Sequence, residues 1–125
     1  MSYSVSRERF EMLAEEAVEN LPGEYRKYFT NITITIEDYP TGGEAKKLNV
    51  RRGCLLGLFS GVPYPSKGGF FNIPYPMTDR IILYQKNIED ICASEAELIE
   101  QIRKTLIHEF GHYFGLSERD LREYE

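Results

Sequence analysis

The chain has two histidines, His108 and His112, four residues apart, with Glu109 beside the first. On an α-helix that spacing puts two side chains on one face, one turn apart. Two imidazoles held in this way can share one metal ion, and the neighbouring carboxylate can reach a water on it. The chemistry this suits is hydrolysis with Zn2+. A catalytic zinc site has three protein ligands and an open position for water, whose pKa falls towards about 7. Glu109 points off the metal axis, as a general base should if it takes the water's proton and passes it to a leaving amine. The plainer alternative is a helix with two solvated histidines and a salt-bridging glutamate. Against it, both histidines of the chain are spent here and both face away from the apolar stripe.

That stripe belongs to the helix that must hold the pair. Ser94 with Glu97 fits a capping box, Gly115 is a natural stop, and residues 95–113 form the helix between them. Advancing about 100° per residue from Leu106, Ile99, Ile102, Phe110 and Tyr113 fall within about 40° of it and form a core-facing stripe. His108 and His112 fall near about 200° and about 240°, with Gln101 and Thr105 in the same sector and Glu109 to one side near about 300°. The helix is expected to bury one flank and turn both imidazoles into a cleft against a sheet.

A third ligand has to follow the helix. Gly115 allows a sharp reversal, and two acids come next, Glu118 and Asp120. Ser117 with Asp120 matches a second capping box, opening a short helix over residues 118–124, so Asp120 already has a structural task. Glu118, first in that helix, is the favoured third ligand, although an acid also suits that position through the helix dipole. Asp120, water or an upstream residue are the alternatives.

Upstream lie the elements that position this helix. Ser6 caps a first helix in which Phe10, Leu13, Ala17 and Leu21 recur at helical spacing, and Pro22-Gly23 ends it. Residues 24–29 add a short helical turn. Ile32, Ile34 and Ile36 alternate with Thr33 and Thr35 as in a strand with one buried face. Residues 38–43, with Pro40 and a glycine pair, read as a turn. Residues 54–59 read as a more buried strand, and residues 80–86 as a third. Between the last two, residues 60–79 are rich in Gly, Pro and aromatics. A connection of that length either folds over a cleft to hold substrate or packs on itself as a surface loop.

A length of 125 residues suits one domain, residues 1–125, with one modest core. Fifteen basic against twenty acidic residues leave a net charge of −5, which argues against nucleic-acid or anionic-membrane partners, since both need a positive field. The one basic cluster, Lys46, Lys47, Arg51 and Arg52, reads as a solvated loop. No segment has the apolar core of a signal peptide or the length of a membrane span, which points to the cytoplasm. Cys54 and Cys92 match no disulfide framework or metal motif and read as small buried residues in a reducing compartment.

The run from His108 to Glu118 resembles H-E-x-x-H-x-x-G-x-x-H, the extended zinc motif of metzincin proteases, with Glu118 where a third histidine would stand. The chain as a whole resembles the small bacterial zincin-like family sometimes called minimal zincins. The likeness runs through Leu21-Pro22, the strand over residues 32–37, the run 55–59 followed by Gly61-Val62-Pro63, and the strand before the motif helix. It implies an α+β fold, a minimal zincin with a small mixed sheet of about three to four strands beside the active-site helix. It further implies His108, His112 and Glu118 as zinc ligands, Glu109 as base, and a peptide or protein substrate. The chain departs from metzincins in having no methionine after the motif.

A zinc metallopeptidase is therefore the leading expectation. A zincin-fold binding or regulatory module that keeps the metal site without turnover is the alternative, supported by the missing Met-turn and the lack of an evident oxyanion stabiliser. A metal-dependent RNA hydrolase with a three-histidine motif is disfavoured by the acidic balance and the two histidines.

Overall fold

In the computed structural model of the chain, residues 2–26, 29, 32–60 and 79–113 are described. The first helix, α1 (Arg7–Glu19), begins where Ser6 accepts the Arg9 N–H at 3.0 Å, the expected cap. Its Phe10, Leu13, Ala14 and Ala17 are buried, and Leu21 follows them into the core. After the short α2 (Gly23–Arg26) come β1 (Ile32–Glu37), α3 (Gly42–Lys47), β2 (Gly57–Ser60) and β3 (Asp79–Tyr84). Two helices complete the order, α4 (Gln85–Asp90) and α5 (Glu95–Tyr113), the second carrying the histidines.

The strands form a three-stranded sheet in the order β1-β3-β2. β1 runs parallel to β3 with Ile34 opposite Ile81, and β2 runs antiparallel with Phe59 opposite Ile81. The fold is the small mixed α+β arrangement expected, and among the described strands β3 is central, with β1 and β2 on either side of it. Successive strand residues face opposite sides. Ile81 and Leu83 accordingly join one core with Phe10 and Leu13 of α1 and Leu98, Ile102, Leu106 and Phe110 of α5. Among the described residues, no helix is long and apolar enough to cross a membrane.

Several elements differ from expectation, each for a local reason. Part of the turn expected over residues 38–43 is the start of α3. Thr41 accepts the Glu44 N–H at 3.0 Å while the Glu44 carboxylate accepts the Thr41 N–H at 2.7 Å, a complete capping box. Beyond its C-cap Leu48 stands Asn49, whose φ of 55° is tolerated by an asparagine and lets Val50 N–H reach back to Ala45 O at 3.1 Å. Lys46 and Lys47 thus belong to a helix rather than a loop. Arg52 is engaged, donating to Pro40 O at 2.7 Å and lying over the Tyr39 ring.

The strand expected over residues 80–86 stops at Tyr84, because Gln85 and Glu89 are one helical turn apart and both turn inward. Their side chains capture Val5, Glu89 accepting its N–H at 2.8 Å and Gln85 donating to its carbonyl at 3.0 Å. Arg7 adds bonds to Gln85 and Ile36 O and an ion pair with Asp38. The start of α1 is thereby fastened to the end of β1. The strand expected over residues 54–59 begins only at Gly57, and Cys54 is exposed rather than buried. Asn87 accounts for this: its buried amide donates to Arg52 O at 2.7 Å and Leu55 O at 2.8 Å, holding the segment as a turn. Cys92 is buried as expected, and burial pushes its thiol pKa up, which leaves it protonated and inert.

Candidate metal centre

α5 starts at the predicted cap, with Glu97 N–H donating to Ser94 Oγ at 3.2 Å. Its buried face includes Leu98, Ile102 and Leu106, with Phe110 stacked on Phe29 at a centroid distance of 4.8 Å. Of the expected stripe, the Tyr113 side chain lies outside the described residues, and one described member is misplaced. Ile99 is exposed, and Leu98 takes its place in the core. The buried arc is rotated towards the Glu109 flank because β2 and β3 pack on that side, and it takes in Thr105 and Glu109 as well.

The rotation decides the environment of the histidine pair. His108 and His112 remain half-buried, with ring centroids 5.0 Å apart and planes inclined at 75°. One ligand atom from each of His108, Glu109 and His112 lies within 4.8 Å of the others. Two nitrogens bound to one zinc at about 2.0–2.1 Å stand roughly 3.4 Å apart in a tetrahedron, a separation within the 4.8 Å spread of these atoms. Paired imidazoles are also ligands that zinc accepts, and the carboxylate beside them can reach a water on the ion. Glu109 is only 8% exposed, and its Oε1 accepts the backbone N–H of Phe59 in β2 at 2.8 Å. A buried carboxylate is costly unless hydrogen-bonded, and this bond both relieves the cost and fixes the side chain's direction.

The close approach of α5 to β2 depends on Gly57. A Cβ at that position would sit 2.7 Å from Thr105 Cγ2, 3.1 Å from Ile82 O and 3.4 Å from Glu109 Cγ. Thr105 cannot easily turn away, since its hydroxyl donates to Gln101 O at 2.8 Å and accepts from Gln101 Nε2 at 3.2 Å. Space, rather than backbone angle, requires glycine here. A groove of about 330 Å³ runs N-terminally from His108 and Glu109. Leu55, Leu56 and Gly57 form one wall and Gln101, Lys104 and Thr105 the other. It lies between helix and sheet as the helical angles predict, with His108 but not His112 in its lining.

The sequence profile of the zincin-like metallopeptidases matches residues 29–125. The chain belongs to that family. None of the curated proteins matches it. In this member of the family His108, Glu109 and His112 come together on the expected helix, with Glu109 directed at β2. Glu118 and Asp120, the two acids considered as third ligand, lie outside the described residues, as do Ser117, Gly115 and most of the 60–79 connection. Phe59, Gly57 and Asn87 were not legible as parts of the site. Only the glycine in an otherwise apolar run hinted at a close approach.

Proposed function

We propose that this zincin-like metallopeptidase hydrolyses peptide bonds, with Zn2+ held by His108, His112 and Glu118 and with Glu109 as general base. Zinc so bound supplies a Lewis acid for the scissile carbonyl and lowers the pKa of a bound water. The rest is done by the chain. The Glu109 carboxylate, aimed by the Phe59 N–H, takes the proton of the attacking water and delivers it to the leaving nitrogen. The observation that carries the reading is the gathering of two imidazoles, His108 and His112, and the Glu109 carboxylate within 4.8 Å, with the carboxylate fixed against β2 by the Phe59 bond.

One side of β2 meets β3 and the other meets Glu109. Tyr84 N–H donates to Leu56 O at 2.9 Å, whereas Phe59 N–H donates away from β3, to Glu109. Alternate residues of a strand direct their backbone groups to opposite sides. Gly57 and Phe59 therefore direct their backbone groups away from β3 beside the site, and an extended substrate would pair there by strand addition through the groups other than the Phe59 N–H, which Glu109 holds. Among the described strands β3 is central and offers no edge. Incubating zinc-loaded protein with a panel of unstructured proteins, beside its Glu109→Gln variant, tests the proposal. Cleavage by the wild type alone supports it. An uncut panel points instead to a binding module that keeps the metal site.

A further inference from the structure

Among the described residues, the groove beside the histidines has an apolar wall of Leu55 and Leu56, and Lys104 is the one lysine or arginine in its lining. Gly57 and the Thr105 methyl pack closely together, and Lys104 lines the groove on the helix side with Thr105. Lys104 stands four residues before His108, one turn away on the same face, a rise of about 6 Å. Helical side chains lean towards the N-terminus, so its ammonium is carried away from His108, along the groove. The neighbouring acid, Glu100, is gripped by Arg103 through Nε at 3.0 Å and a second guanidinium nitrogen at 2.5 Å. That grip holds the Glu100 carboxyl below its ordinary range. Lys104 itself makes no ion pair among the described residues.

A groove of this size, at the lower end of the ~300–1,000 Å³ that small ligands occupy, holds one side chain rather than a stretch of peptide. The complementary occupant has a short methylene stem for the apolar wall and an anion at its tip. We infer that the groove receives the substrate side chain next to the scissile bond, and that Lys104 selects a glutamate or aspartate there. The inference rests on the peptidase reading, because His108 and Glu109 close the groove's near end. The chain's net charge of −5 provides no long-range attraction for an acidic peptide. Selection therefore acts in the bound complex, in affinity and turnover rather than in the rate of encounter.

The test uses matched peptides carrying Glu, Gln or Lys at either position flanking the scissile bond. Cleavage is measured with zinc-loaded wild type, Lys104→Ala and Lys104→Glu. Calorimetric binding is measured with zinc-loaded Glu109→Gln, alone and combined with each Lys104 change. The expected preference for Glu over Gln is about two- to fivefold in both readouts, the scale of an exposed ion pair. It should vanish in Lys104→Ala, and Lys104→Glu should favour the Lys peptide. Cleavage with no preference, or with a preference unchanged in Lys104→Ala, overturns the inference and leaves the peptidase reading standing. Absence of cleavage with Lys104-dependent binding supports the groove and removes hydrolysis. Neither cleavage nor binding overturns both.

Discussion

Phe59 and Glu109, fifty positions apart in the chain, are joined by a 2.8 Å hydrogen bond from the backbone N–H of one to Oε1 of the other. The donor is main chain, so its direction is set by the pairing of β2 with β3 and does not depend on a rotamer. The acceptor sits between two histidines on the longest helix of the described chain. The sheet thus aims the carboxylate while the helix carries it. A group aimed by a fixed donor loses little freedom when it acts, which is what a general base needs.

Replacing Glu109 by Gln preserves shape and can still accept the Phe59 N–H, but it cannot take a proton. The variant is expected to retain zinc and to lose peptide hydrolysis by about 10²- to 10⁴-fold. Parallel metal analysis and peptide turnover check this. Full activity with zinc retained would exclude Glu109 as base.

Gly57→Ala should strain the helix–strand contact. A Cβ 2.7 Å from Thr105 Cγ2 requires one of the elements to move, with a cost of about 1–3 kcal/mol in unfolding free energy. Adding Thr105→Ser removes the clashing methyl and keeps the hydroxyl bonded to Gln101, so roughly half of the loss should return. Urea unfolding of the single and double variants measures it. Equal stability of Gly57→Ala and wild type would show that the contact is looser than described.

Asn87→Leu should leave the carbonyls of Arg52 and Leu55 without their shared donor. A destabilisation of about 1–3 kcal/mol is expected, by the usual cost of abandoning buried polar groups. The loop that walls the groove should also loosen, giving faster amide exchange over residues 52–56. Unchanged exchange there would place the control of this loop elsewhere.

Glu44 supplies a pH dependence. Burial works to raise its carboxyl, but the Thr41 N–H bond and the other donors and charges around it hold it below its ordinary value of 4.5. A carboxyl depressed in the folded state stabilises above its unfolded pKa, and the contribution fades as pH falls through the folded value. The stability difference between wild type and Glu44→Gln should therefore be greater at pH 7 than at pH 3. A constant difference across that range would contradict the capping role.

The histidine pair and its helix were legible because the signals are local. Ser94 caps, the core residues repeat at helical spacing, and both imidazoles occupy one sector. Ser6 and the alternating isoleucines of β1 were legible for the same reason. The helical arithmetic failed at Ile99, since the angle of the buried face depends on where β2 and β3 lie, and periodicity within one helix carries no such information. α4 was hidden because its inward residues, Gln85 and Glu89, are polar and are buried to bind the backbone of Val5, far away in sequence. α3 was a different matter: Thr41 and Glu44 have capping-box spacing, and the neighbouring Pro40 and glycines masked it. The bond from Phe59 to Glu109 is of a kind that residue types cannot announce, because the donor is main chain.

The central claim is a shared metal ion, and elemental analysis tests it most directly. Protein purified without added zinc, then equilibrated with one equivalent of Zn2+ and desalted, should retain about one zinc per chain, as expected for a single site. His112→Ala, prepared identically and shown by circular dichroism to keep its helices, should retain almost none. Equal zinc in both proteins, or none in either, would contradict the account.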